Sequence, residues 1–429
     1  MQLVSYPPRE TWENLIRRPA LAAEVLADRV RPILEAVRQE GDAALRRFTA
    51  QFDGVVSDTL EVSAESLADA TVSPALYAAM ERAAANIRTF HAAQREAETV
   101  VETMPGVTCW RRSLPIGRVG LYIPGGSAPL LSTVLMLAIP ARLAGCQEII
   151  LCTPPGPDGE VPATIRVAAR IAGVTRVFRV GGAQAIAGMA YGTASIPKVD
   201  KIFGPGNQYV TIAKQLVSQE GVAIDMPAGP SEVAVVADAT APPAFVAADL
   251  LAQAEHGPDS QVLLLARDPD LLAVIVAETY RQLETLPRAD IARQALANSR
   301  AICFDSNETL MDFCNAYAPE HLILAVSNDL ALATQVTCAG SVFLGIYSPE
   351  SVGDYASGTN HTLPTNGYAR AYSGVSLDSF VKKVTYQRLT AEGLQALGPT
   401  VEILADAESL EAHRQAVRVR LAALAGSAD

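Results

Sequence analysis

Val119-Gly-Leu-Tyr-Ile123, Ile149-Ile-Leu-Cys152, Val177-Phe-Arg-Val180, Lys201-Ile-Phe203 and Glu232-Val-Ala-Val-Val236 are short apolar or β-branched runs. Longer stretches of helical periodicity separate them, bounded by glycine and proline. Runs of this length read as strands. A strand–helix–strand rhythm predicts βαβ units on a parallel sheet, because parallel neighbours need a crossover. The rhythm resumes after Ala241-Pro242-Pro243, with a helix to His256, strand Val262 to Leu265, a helix from Pro269, strand Ala301 to Phe304, a helix from Asn307 and strand Leu322 to Val326. Two α/β blocks are therefore expected. A helical region from about residue 20 to 100 precedes them, with Leu21, Val25, Val30, Ile33, Leu34 and Val37 at near-helical spacing. The tail from about 381 reads as two helical stretches, Ala391 to Leu397 and Ala407 to Leu424, with strand-like Val401 to Leu404 between them after Pro399. It carries an apolar stripe but little bulk, so it must pack on this chain or on a second copy.

The 429 residues exceed one ordinary core, and an apolar fraction of 49% supplies two or three. A formal net charge of −12 argues against nucleic acid or anionic lipid as partners, since both select basic faces. Small molecules fit better. Six cysteines without a C-x-x-C pair fit reduced thiols, hence a cytoplasmic protein. Met1 to Pro8 lacks the basic start and apolar stretch of a signal peptide. The most hydrophobic run, Thr133 to Ala141, contains Pro140 and stops at Arg142, too short to span a membrane.

Histidine is scarce, and four of the five lie near acids or amides in the second half: Gln253-Ala-Glu-His256, Pro319-Glu-His321, Asp354 to His361, and Glu411-Ala-His413. Imidazole is both the commonest metal ligand and the group titrating nearest neutrality, so this clustering suggests a metal-assisted acid/base site. Gln253 and His256 are three apart at the end of one expected helix, a spacing that suits two ligands to one ion. Asp354 adds a carboxylate and His413 another nitrogen, an oxygen/nitrogen set that zinc, manganese or cobalt accepts. Taken singly, His256 also reads as a helix cap, Asp354 as a turn residue and His413 as a solvated histidine. Glu320-His321 follows Pro319 and precedes a strand; both side chains reach one substrate only if the backbone bends at 319 to 321. A pair before its strand is at odds with the habit of parallel sheets, which present ligands at carboxyl ends. Gly117 to Gly126, Gly181-Gly-Ala-Gln184 and Gly204-Pro-Gly-Asn207 are glycine-rich turns that suit backbone approach to phosphate, yet none matches G-x-G-x-x-G or a P-loop.

Taken together, Gly120-Leu-Tyr-Ile-Pro-Gly-Gly126, Phe203-Gly-Pro-Gly-Asn207, Asp225-Met-Pro-Ala-Gly-Pro-Ser-Glu232, Gln253-Ala-Glu-His-Gly-Pro-Asp259, Pro319-Glu-His-Leu322 and Gly353-Asp-Tyr-Ala-Ser-Gly-Thr-Asn-His361 closely resemble the histidinol dehydrogenase family over nearly the whole chain. The resemblance implies a homodimeric, zinc- and NAD-dependent enzyme that oxidises L-histidinol through L-histidinal to L-histidine, the last step of histidine biosynthesis. It implies an α/β fold of two incomplete Rossmann-like domains with parallel sheets, one inserted in the other, plus an N-terminal segment and a C-terminal dimerisation tail. On that plan residues 1–24 form the N-terminal segment, 25–117 with 234–380 the first Rossmann-like domain, 118–233 the second, and 381–429 the tail on the partner subunit.

By resemblance, the zinc ligands are Gln253, His256, Asp354 and His413, the last from the partner subunit. Tyr122, Gln184 and Asn207 match NAD contacts, and Ser231, His321, His361 and Glu408 match substrate contacts beside the zinc ligands. In the chemistry this suggests, His321, neutral at working pH, takes the alcohol proton, and Glu320 takes a proton from the water that adds to the aldehyde. Three rivals are a paralogous zinc- and NAD-dependent dehydrogenase of another small amino or sulfonated alcohol, a metal-dependent hydrolase, and a non-catalytic scaffold, which would not need this concentration of titratable groups.

Overall fold

The computed structural model describes residues 1–19, 23–125, 129–227 and 229–426. Leu21 and Gly126, used in the sequence reading, lie outside the described residues. The chain forms two units, residues 1–94 with 116–380 and residues 95–115 with 381–429.

The first unit holds both expected parallel sheets. One has five strands in the order Arg176–Arg179, Glu148–Thr153, Arg118–Tyr122, Lys201–Phe203, Ala223–Ile224. Its strands alternate between two cores, as a period of two requires: Val119, Leu121, Ile149 and Leu151 enter one, Tyr122, Ile150 and Cys152 the other. In the helix Leu131–Ala144 every residue from Ser132 to Ala141 is buried. A helix apolar on all sides must be covered on all sides. The sheet covers one face, and the helix Pro74–Ala92 supplies Met80, Ala84 and Ile87 to the same core. On the opposite face Leu26, Val30, Leu34 and Val37 of the helix Ala23–Glu40 pack with Phe178 and the helices Gly182–Tyr191 and Gln208–Ser218. The helices between residues 23 and 92 thus clothe the five-stranded sheet, whereas the sequence plan groups them with residues 234–380.

The second sheet has six strands in the order Gln2–Ser5, Arg300–Cys303, Gln261–Ala266, Glu232–Ala237, His321–Ala325, Ser341–Leu344, all parallel. The N-terminal strand was not anticipated.

Chain order reverses in the five-stranded sheet between Arg118–Tyr122 and Lys201–Phe203, and such a switch point opens a crevice at the carboxyl ends. Gly204 makes the close approach there possible. At φ 124°, a Cβ at this position would sit 2.1 Å from the Tyr122 carbonyl oxygen.

The second unit is an antiparallel sheet, Val381–Leu389 with Val107–Pro115 and then Val100–Met104, followed by the helices Ala391–Ala407 and Glu411–Gly426. The expectation of a strand-like Val401 to Leu404 is corrected: the first helix runs unbroken through Pro399. Proline's φ is helical, so the ring removes one hydrogen bond without forcing an exit. Gly398 lets the second helix approach, since a Cβ there would meet Leu421 at 2.8 Å. Among the described residues no helix is long and apolar enough to cross a membrane.

Candidate active site

Glu320 and His321 stand at the amino end of the strand His321–Ala325, beside the amino end of Glu232–Ala237. The preceding helix Asn307–Tyr317 ends on Ala318 at φ 53°, and this left-handed cap gives the expected bend before the pair. The Glu232 N–H donates to Glu320 Oε2 at 2.8 Å, and His321 Nδ1 lies 3.2 Å from the Glu232 carbonyl oxygen. A carbonyl only accepts, so Nδ1 carries the proton and Nε2 is the free nitrogen. His321 Nε2 is 3.4 Å from Asp354 Oδ1, yet both buried atoms lack an aligned hydrogen bond.

Glu350, which the sequence reading did not name, completes this wall. It is 1% exposed, and its Oε1 lies 3.9 Å from His321 Nδ1. Glu350 and Asp354 are four apart on the helix Glu350–Tyr355, so both side chains leave one face. That spacing was the available signal. Gln253, fully buried in the last turn of Pro243–Ala254, turns its amide nitrogen to the Glu350 carboxylate, 2.9 Å from Oε2, and its oxygen to the Glu232 N–H at 3.3 Å. His256 lies just past the same helix, its N–H on the Gln253 carbonyl. Ligand atoms of His256, Glu350 and Asp354 all fall within 4.8 Å of one another.

Burial pushes the Glu320 and Glu350 carboxyls up to about 8. Burial opposes charge on His321 as well, but Glu350, Glu320 and Asp354 outweigh it and hold the imidazole well above its ordinary pKa. The protein's own acids therefore favour charge on His321. Burial also raises Asp249, one turn before Gln253, to about 7. This surplus of buried acid, with oxygen and nitrogen donors converging, fits a divalent cation.

His361 is held at both ring nitrogens, Nδ1 on the Asp354 carbonyl oxygen at 2.9 Å and Nε2 on Thr133 Oγ1 at 3.0 Å. Burial lowers its pKa, so it serves as a neutral, oriented ring. His256, Glu320, His361 and Ser231 line one cleft of about 510 Å3, whose far wall is Pro124 and the Gly204–Asn207 turn. The site thus uses the amino edge of one sheet and the carboxyl edge of the other, which accounts for an acid/base pair that precedes its strand.

Tyr122, Gln184 and Asn207 line an adjoining cavity of about 660 Å3. The Gly182 N–H donates to the Tyr122 hydroxyl oxygen at 3.1 Å, and both amide atoms of the buried Gln184 lack partners. Asn207 Oδ1 caps the helix Gln208–Ser218, accepting from Tyr209 and Val210 N–H at 3.1 Å each. Beneath this turn the buried Lys214 pairs with Asp225; Lys214 Nζ donates to the Gly204 carbonyl at 2.9 Å and the Gly204 N–H to Asp225 Oδ2 at 2.8 Å. Glu408 and His413 belong to the second unit and are both exposed.

The family model described as histidinol dehydrogenase matches residues 16–421. The chain belongs to the histidinol dehydrogenase family. A histidinol dehydrogenase of Bacteroides thetaiotaomicron is 56% identical over 423 residues, 98% of this chain and 99% of the relative. One of Xanthomonas axonopodis pv. citri is 57% identical over 412 residues, 95% of this chain and 96% of the relative. The crystal structure of histidinol dehydrogenase from Elizabethkingia anophelis superposes with a TM-score of 0.96 at 54% identity, covering 99% of this chain and 98% of that one. The α/β architecture with its two parallel sheets is therefore that of the histidinol dehydrogenase family.

Lys214→Met leaves Asp225 buried and unpaired beneath the Gly204 turn. It should lower unfolding stability by about 3–5 kcal/mol in urea denaturation; stability within 1 kcal/mol of the parent, roughly the scatter of a surface change, would show that the pair does not hold the turn.

Proposed function

We propose that this protein is an oxidoreductase that converts L-histidinol through L-histidinal to L-histidine, the last step of histidine biosynthesis, in the cytoplasm and with NAD as coenzyme. Family membership supports the reaction. The observation that carries the mechanism is His321, its Nδ1 committed to the Glu232 carbonyl and its buried Nε2 facing Asp354 Oδ1 at 3.4 Å, next to the cleft-lining Glu320.

In this reading His321 Nε2 takes the proton of the substrate hydroxyl as hydride leaves the carbon. Tyr122, Gln184 and Asn207 would hold NAD, which would supply the hydride acceptor for both oxidations. Glu320, fixed by the Glu232 N–H, takes a proton from the water that adds to the aldehyde in its ionised form, which a pKa raised to about 8 confines to alkaline pH. His321 then assists the second oxidation. Gln253, His256, Asp354 and a His413 from a second copy of the chain would hold zinc, which supplies positive charge and orients the amino and imidazole nitrogens of the substrate. Glu350 fixes the Gln253 amide. Ser231 and Glu408 hold polar groups of the substrate, and His361 joins them by exchanging its Nε2 contact with Thr133 for one with the substrate.

The second copy is suggested by Ile403 at 69% exposure and Leu404 at 60% on one helix, and by the absence of buried residues on Glu411–Gly426. An apolar face of this kind suits a homodimer contact.

Purified protein given histidinol and NAD should reduce two NAD per histidinol, lose this on chelation and regain it with zinc; turnover indifferent to chelation would remove the metal from the account. His321→Asn should lower both oxidations by roughly 100-fold or more with zinc content unchanged, and near-parental turnover would end its role as base. Glu320→Gln should slow the aldehyde step more than the alcohol step when each is assayed separately, and equal slowing would dissolve the division of labour. Heterodimers of His413→Ala and His321→Asn chains should recover activity at one site per dimer. No recovery in mixed dimers would place both residues in the same chain's site.

A further inference from the structure

The cavity that holds Tyr122, Gln184 and Asn207 has one wall that does not come from the sheet. Phe52 and Asp53, at the end of the helix Asp42–Asp53, and Arg29 of the helix Ala23–Glu40 close it from outside. Asp53 is poorly served by the fold. It ends its helix, with Gly54 following at φ 71°, so its charge meets the negative end of the helix dipole. Its Oδ2 is buried without a hydrogen-bond partner, and no described residue forms an ion pair with it. Burial raises its pKa. A surface acid tolerated at a helix end would keep both oxygens in water; half-buried Asp53 withdraws Oδ2 from it.

The second observation concerns what the sheet lacks. In a dinucleotide fold the acid that binds the adenosine ribose ends the second strand of the unit. Here the second strand is Glu148–Thr153, followed by Pro154-Pro155, which offer no hydrogen-bond donor or acceptor side chain. Pro154 and Asp53 line the same cavity. The carboxylate missing from the strand end is thus replaced by one that reaches in from the N-terminal helices. Gln184, 1% exposed with both amide atoms unpartnered, is a second unserved polar group on the same cavity.

We propose that Asp53 binds the vicinal hydroxyls of the adenosine ribose of the dinucleotide and, by its charge, excludes a coenzyme that carries a 2′-phosphate there. The inference rests on the NAD reading above. A carboxylate accepts both hydroxyl protons at once and repels a phosphate dianion. Asp53 is in this sense a specificity-determining residue, distant from the reacting atoms.

The test uses the full-length zinc-loaded enzyme and its Asp53→Asn variant. Kinetics with NAD and NADP should show that the variant raises KM for NAD roughly tenfold or more while kcat is retained, as for a lost charge-assisted hydrogen bond. Its preference for NAD over NADP should shrink by a similar factor. ADP-ribose and its 2′-phosphate, titrated by calorimetry, should reproduce both changes without catalysis. The unliganded variant should melt higher than the parent, because an acid opposing the dipole is gone. Unchanged KM and unchanged discrimination would overturn the assignment while leaving the NAD reading intact. A parent enzyme that binds neither ADP-ribose nor NAD would overturn both, and a lower melting temperature with uniformly reduced kcat would reveal a purely structural residue.

Discussion

One peptide group governs the site: the N–H of Glu232 holds Glu320, and its carbonyl oxygen orients His321. That group cannot shift, because the Glu232 side chain is itself buried and paired with Arg18, Nε to Oε1 at 3.0 Å and Nη2 to Oε2 at 2.8 Å. The Arg18 guanidinium lies 3.7 Å over the Tyr317 ring and donates to the Tyr317 carbonyl at 2.7 Å. A planar fork between a carboxylate, a ring and a carbonyl allows one geometry. The amino edge of the six-stranded sheet is thereby rigid where proton transfer is proposed.

The same rigidity assembles an electrostatic surplus. Glu320, Glu350 and Asp354 surround one imidazole, and Asp249 stands close behind. Burying like charges so near one another is unfavourable unless protons or a cation neutralise them. With protons alone, the three acids favour the charged form of His321. With a divalent cation among the carboxylates, the reason for His321 to stay charged weakens, and Nε2 becomes available. A cation held there would thus supply charge that favours the neutral form of His321, besides orienting the substrate.

Much of this was legible from sequence because it depends on local pattern. Val119 to Ile123 and Leu322 to Val326 are apolar runs because sheets covered on both faces need them, and the scarcity of histidine made Glu320-His321 stand out. Other parts depend on distant partners. Gln2–Ser5 is mostly exposed and pairs with a strand at the far end of the six-stranded unit, so its own residues carry little strand signal. Val401 to Leu404 has β-branched character that the continuing helix overrides. Lys214, Glu350 and Asp53 are single charged residues whose meaning appears only when the chain closes around them.

The central claim is that a cation among Asp354, His256 and their neighbours decides the protonation of His321. Nitrogen-15 NMR of the imidazole, recorded across pH in the metal-free and zinc-loaded protein, tests it directly. The account predicts a charged ring near neutrality without metal, and with zinc a neutral ring protonated at Nδ1. The same protonation state and tautomer in both forms across that range would contradict it.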